Sequence, residues 1–369
     1  MILRFYPTKD TTIYENSPEA NTGRDQILEL IKQPATGSGG EATASFNSRI
    51  LMDFDYTAIS ESIVKLGYDP NEFNFGLKLY ATEASEIPLE YTLEAFPVSG
   101  SWDMGIGKTG TTPPTTEGAS WYYRAGKTDI FNIWATSSYA TNVTASWQVN
   151  PGGGNWYTSS IASQSFDYTT TDVDMDITSI IREVQSGSFD FNGIVIKKNQ
   201  TAEQNLQTLK AFRFYSKETQ TIYSPVIEAK YNETILTGSV TYIDTDEEYN
   251  VVCENLRTSY KEGSRPKLKF APRYRYPPLQ YQTSSLFLDK YRLPSGSQYA
   301  VYYAHSDDSV LDFGDYTHIS SDDKGSYFRL HLDSFQPERW YRLLIKVPYD
   351  DGVSYEIYDK NWIFKVERN

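Results

Sequence analysis

A chain of 369 residues with 39% hydrophobic content exceeds one small core and is apolar enough to build two or three. Its formal charge of −14, from 48 acidic and 34 basic residues, opposes phosphate backbones and anionic lipid, so neither nucleic acid nor a membrane is an expected partner. The single cysteine, Cys253, excludes an intrachain disulfide, and no Cys/His set has zinc-finger spacing.

Thirty Tyr and 18 Phe, among many Thr and Ser, suit a pleated, half-buried surface and indicate an all-β chain. The N-terminus, Met1-Ile2-Leu3-Arg4-Phe5-Tyr6-Pro7, lacks the apolar core of a signal peptide, and no run reaches the roughly 20 residues of a membrane span. Secretion through a cleaved signal is therefore disfavoured. The glycosylation-type triplets at Asn142, Asn199 and Asn232 read as chance matches.

The first strands are expected at Thr11-Thr12-Ile13-Tyr14 and Gln26 to Ile31, joined by a turn-rich Asn16 to Gly23, with a Gly/Ser/Thr loop at 35–45. Arg49 to Asp55, Phe75 to Tyr80 and Leu89 to Phe96 alternate as half-buried strands do. Residues 99–165 break the pattern: Trp102, Trp121, Trp134, Trp147 and Trp156 sit among Gly, Ser, Thr and Pro as a long decorated loop region. Asp172 to Thr178 then has period two and leads into a short helix, expected as the only one in the chain. Asp176 or Thr178 would cap it, Ile177, Ile180, Ile181 and Val184 form its apolar stripe, and Gly187 ends it. Asn192 to Lys197, Ala211 to Tyr215 and Pro225 to Ala229 return to strand. These elements make residues 1–233 a jelly-roll-like β-sandwich with Trp-rich loops.

Beyond a linker-like Thr237-Gly238-Ser239, strands are expected at Asn250 to Leu256 and Lys267 to Phe270, giving a β-domain or linker subdomain over 234–292. Tyr299 to Tyr303, Tyr327 to Leu332, Tyr341 to Val347, Ser354 to Tyr358 and Trp362 to Val366 then fit an immunoglobulin-like β-sandwich over 293–369, with a hairpin turn at Asp350-Asp351-Gly352.

Candidate chemistry is sparse. Asp172, Asp174 and Asp176 are hard oxygen ligands, but they alternate along a strand without the glycine and terminal glutamate of a calcium loop, so no metal is expected. His305, His318 and His331 are spaced by 13 residues, too wide for one face to gather them, and read as surface or hydrogen-bonded side chains. Cys253 reads as core. Gly105 to Gly110 mimics only part of a phosphate loop. The Trp loops can be read as packing and subunit contacts or, alternatively, as a sugar platform of flat indole faces. A basic, aromatic run comprising Arg265, Lys269, Arg273, Tyr274, Arg275 and Tyr276 opposes the global charge. Arg and Tyr are enriched at interface hot spots, so it reads as a contact for an acidic partner, with a solvated inter-domain linker as the bland explanation.

The order Thr12-Ile13-Tyr14, Arg49-Ile50-Leu51-Met52-Asp53-Phe54-Asp55, Leu77-Lys78-Leu79-Tyr80, Ser101-Trp102, Ser120-Trp121, Asp176-Ile177-Thr178 and Asn192-Gly193-Ile194 resembles the DNRLRE-type, carbohydrate-binding-module-like β-sandwich family over residues 5–232. Residues 240–369 are similar to the C-terminal part of tailed-bacteriophage structural proteins. Arg273-Tyr274-Arg275-Tyr276-Pro277, Gln282-Thr283-Ser284-Ser285, Tyr316-Thr317-His318-Ile319-Ser320, Asp322 to Phe328 and Gln336-Pro337-Glu338-Arg339-Trp340-Tyr341 carry that second likeness. Together they imply a virion component of the neck, collar or tail, assembled in the host cytoplasm, in contact with other virion proteins and copies of itself in a symmetric ring. Neither an enzymatic activity nor a cofactor is implied. A carbohydrate-binding adhesin or host-surface recognition module is the alternative, and a polysaccharide hydrolase would need two carboxylates at catalytic separation across a cleft.

Overall fold

Alternating burial, the mark of a pleated strand with one face in a core, runs through the molecule: Val173–Asp176 reads buried, exposed, buried, exposed, and Tyr341, Leu343, Ile345 and Val347 point inward while Arg342, Leu344 and Lys346 do not. The chain is all-β, of the β-sandwich class. The computed structural model describes residues 1–36, 42–85, 91–127, 133–134, 152–167, 172–205, 209–237, 241–276, 291–350 and 353–369. It divides into an N-terminal body, Phe5–Glu228, and a C-terminal body, Ala229–Asn369 together with Met1–Arg4.

Strand β1 (Ile2–Phe5) opens the chain, and β2 (Lys9–Tyr14), β3 (Ile27–Thr36), β4 (Ala42–Asp53), β5 (Asn74–Leu79), β6 (Ala81–Ser85) and β7 (Tyr91–Pro97) follow. After the Trp loops come β8 (Ala162–Phe166), β9 (Val173–Asp176), β10 (Ile194–Lys198), β11 (Leu209–Tyr215) and β12 (Val226–Lys230). The large sheet of the N-terminal body has the order β6-β11-β3-β4-β10-β7-β8, with β2 also on β4; β12, β5 and β9 lie side by side in the other sheet. Val195 sits opposite Leu51 on one side and Phe96 on the other. By the period of two, Arg49 and Lys197 share the face of Leu51 and Val195. That face carries a second core of Ile13, Leu51, Phe96, Val98, Val195, Ala119 and four indoles. The central strands are therefore covered on both sides, which explains why Ile194–Lys198 is buried throughout.

Three α-helices stand among the described residues where one was expected: α1 (Tyr56–Lys65), α2 (Thr178–Gln185) and α3 (Gln200–Gln204). In α1, Asp55 accepts from the Ala58 N–H at 2.9 Å, and Ile59 and Ile63, one turn apart, supply the buried stripe. So short a stripe in a Ser/Thr-rich segment is easily mistaken for a loop. Helix α2 lies where its pattern places it, but neither Asp176 nor Thr178 is its N-cap: that position is Ile177, which makes no side-chain cap bond, while the Asp176 carboxylate accepts from the Thr178 N–H, Thr178 Oγ1 accepts from the Phe75 N–H, and Gly187 has φ +74° just past the end.

The C-terminal body contains β13 (Tyr249–Cys253), β14 (Ser259–Lys261), β15 (Lys267–Tyr274), β16 (Gln298–Tyr303), β17 (Ser309–Leu311), β18 (Ser320–Asp322), β19 (Gly325–Arg329), β20 (Arg339–Pro348) and β21 (Tyr355–Glu367). They form the sheets β13-β15-β19-β18 and β14-β21-β20-β16-β17. Residues 234–292 and 293–369, expected as separate pieces, share these sheets: β15 pairs with β19, and β14 pairs in parallel with β21. Long-range pairing of this kind leaves no mark in the local pattern. Strands β20 and β21 form the expected hairpin, Pro348 opposite Tyr355. The core stacks Tyr299 on Phe328 at 3.8 Å between centroids and Phe328 on Phe270 at 5.3 Å.

Candidate functional site

In the N-terminal body the Trp residues face inward. Trp102, Trp121, Trp134 and Trp156 are each at most 2% exposed, while Trp147 lies outside the described residues. A sugar platform needs an exposed aromatic face, and these four have none. The Trp102 and Trp134 indole N–H groups donate to the carbonyls of Asn192 and Ser120. The glycine-rich mimic at 105–107 is wrapped around Asn21, whose side chain donates to Met104 and Ala119 carbonyls and accepts from the Gly107 N–H.

Beneath the indoles lies a buried charge network that the sequence reading missed. Arg49, fully buried, grips Glu203 with two bonds of 2.9 and 3.0 Å, donates to the Gly153 carbonyl at 2.8 Å, and lies 4.8 and 5.0 Å from the Trp121 and Trp156 ring centres. Lys197 reaches Glu94 at 3.3 Å and Glu203 at 3.5 Å. Lys198 donates to the Ile31 carbonyl, and Lys32 to the side chain of Asn205. Burial alone would raise the Glu203 pKa, but Arg49, Lys197 and Lys198 outweigh it and hold the carboxyl at about 2. Burial also brings Lys198 down to about 7 and Lys32 to about 8, against the opposing pull of Glu203. Every one of these cations is spent on the protein's own carbonyls and carboxylates, so the network fastens the Trp loops and α3 to the sheet. The available signal was Lys197-Lys198 continuing an apolar strand, an odd place for two solvated charges.

The three aspartates do not converge. Asp172 accepts from the Ala81 N–H, Asp174 lies 3.8 Å from Lys78, and Asp176 receives the start of α2. No group of three His, Cys, Asp or Glu residues poised for a metal occurs among the described residues. Nor do the histidines meet: His305 is exposed, His318 lies 2.9 Å from the Asp315 carbonyl, and buried His331 stands 3.5 Å from Glu233. The Cys253 thiol, expected as core, is only partly buried, at the edge of the C-terminal body's core, and burial raises its pKa.

The basic run predicted as a contact lies along β15. Leu268, Phe270 and Pro272 point into the core, leaving Lys267, Lys269 and Arg273 on the outward face. Arg273 is exposed, Tyr274 accepts from the Asp244 N–H, and Arg275 reaches Glu248 at 3.0 Å while standing 5.7 Å from the ring centre of Tyr276, itself 72% exposed. Arg265 stands apart, 3.4 Å from Asp333. The strand thus ends in two unlike places. At the Arg275 end is an open cleft lined by Asp246, Glu247, Glu248, Glu356 and Asp359 against Arg275 and Lys360. At the Lys267 end is a smaller hollow lined by Arg257, Arg265 and Lys267 with Asn255, Tyr260, Ser264 and Pro266. Beside the acidic cleft, Val353, Tyr355 and Ile357 expose apolar surface at the β20–β21 hairpin.

Set against known proteins, the chain matches no family model, no curated protein and no solved structure.

Proposed function

We propose that this chain is a non-enzymatic building block of a tailed-phage virion, in the neck, collar or tail, which works through protein–protein contacts in a symmetric ring. The observation that carries the reading is the exposed aromatic and aliphatic surface of the C-terminal body, with Tyr276, Val353, Tyr355 and Ile357 exposed by 72, 84, 52 and 45% around a charged cleft. Exposed apolar groups edged by charge mark surfaces that another protein covers. The resemblance of residues 240–369 to tailed-phage structural proteins supports the same role, and the buried network supports a rigid N-terminal body. Protein mass spectrometry and a low-resolution reconstruction of purified particles test it: the chain should be present in several symmetry-related copies. Absence from the particle, or turnover of a glycan or nucleotide by the isolated monomer, defeats the proposal. Charge reversal at Arg273 and Arg275 should impair assembly while the isolated chain keeps its circular dichroism spectrum.

A further inference from the structure

The two hollows of the C-terminal body have opposite charge and lie at opposite ends of it. Strand β15 runs from Lys267, in the basic hollow, to Tyr274, next to Arg275 in the acidic cleft; at about 3.3 Å per residue the strand separates the two by roughly 23 Å. Strand β21 spans the same way, its Ile357–Asp359 end in the cleft and its Lys365–Glu367 end paired with β14. We propose that the C-terminal body docks head to tail on a second copy of this chain, the carboxylates of one copy's cleft entering the other copy's basic hollow. The inference rests on the reading of the chain as a self-assembling virion component and names the contact that reading requires.

Two observations favour a second copy. The complementarity is reciprocal within one chain: the cleft lining carries five carboxylates and two cations, and the hollow lining three cations, of which Arg265 pairs with Asp333 and Lys267 with Asp322, both outside that lining. Arg257 has no ion pair among the described residues, and the pairs Arg265–Asp333 and Glu248–Arg275 are exposed enough to exchange partners at little cost. Unlike ends joined head to tail make a heterologous interface, the kind that closes into a ring when its rotation allows.

Sedimentation velocity of the full chain tests this. The wild type should self-associate at low ionic strength and dissociate at high salt, because exposed charge pairs are screened. Asp246→Lys/Glu247→Lys/Glu248→Lys reverses the acidic end, and Arg257→Glu/Arg265→Glu the basic end; all five residues are exposed, so both variants should keep the wild-type circular dichroism spectrum. Each variant alone should lose association by about a hundredfold or more, and an equimolar mixture, in which each reversed end meets its complement, should recover it. A wild type that stays monomeric at low salt, or association that both variants retain, overturns the contact. A monomer that is nevertheless found in purified particles removes the head-to-tail contact and leaves the virion role standing; salt-dependent association by a chain absent from particles does the reverse.

Discussion

Glu203 answers for three buried cations, so removing its charge costs more than the loss of one surface pair. Glu203→Gln leaves Arg49 and Lys197 without their shared counter-charge and should lower unfolding stability by about 3–5 kcal/mol in urea titration, with α3 and the Trp loops loosened first in hydrogen exchange. Lys198 responds to pH. Its pKa in the fold, about 7 against an ordinary 10.5, means the unfolded chain holds the proton more tightly, so its unfavourable effect is complete below pH 7 and fades as pH rises toward 10. Lys198→Met should therefore be more stable than wild type at pH 7 by up to a few kcal/mol and lose that advantage by pH 10, as read by melting at the two values. Asp10 behaves oppositely: it is 1% exposed, Oδ2 accepts from the Lys217 N–H, Oδ1 has no partner, and burial raises its pKa to about 7. The folded chain holds this proton more tightly than the unfolded one. Its contribution is fully present below about pH 4 and is lost as pH rises through 7. Asp10→Asn should flatten that decline and exceed wild type at pH 8 by about 2–4 kcal/mol in chemical denaturation.

At the scale of the element, Gly193 sets the entry to β10. Its φ is +96°, and a Cβ there would meet the Met52 carbonyl oxygen at 2.3 Å. Gly193→Ala forces both an unfavourable backbone and a collision with β4, so it should cost at least about 2 kcal/mol in denaturant unfolding. Elements of this type were legible in the sequence because alternation and turn residues are local: β9 and β20 follow period-two burial, and α2 its place and terminal glycine, whereas β3 and β4 extend into the expected loop at 35–45 and β4 and β10 are buried on both faces. Helix α1 was not legible, since two isoleucines one turn apart are too short a stripe to show a helical period in a Ser/Thr-rich segment. The Trp loops were visible as an anomaly, but composition cannot say which way an indole points. The packing under Trp121 and Trp156 depends on Arg49, Gly153 and Glu203, which are far apart in sequence.

At the scale of the whole molecule, the sequence placed a change of texture after Tyr231 and missed how the C-terminal body is assembled. No local pattern tells that β14 runs parallel to the last strand or that the first four residues belong with the last third of the chain. Ile2 joins the core of Val251, Phe270 and Phe364, the Arg4 N–H donates to Ser334 Oγ at 2.8 Å, and the Tyr231 N–H donates to the Met1 carbonyl at 2.9 Å. Deleting residues 2–4 should therefore lower the stability of the C-terminal body by about 2 kcal/mol or more, measured by hydrogen exchange in β15 and β20, while β4 and β10 keep their protection.

That arrangement also reverses the usual order of manufacture. Residues 1–4 are translated before β13 to β21, yet their seat is built only once those strands exist, so the apolar run Met1-Ile2-Leu3 waits unsheltered while the N-terminal body is made. A chain whose synthesis stalls before β21 keeps that run bare, which makes it a natural hook for chaperones and for clumping, and the yield of folded protein becomes sensitive to the speed at which β13 to β21 are made.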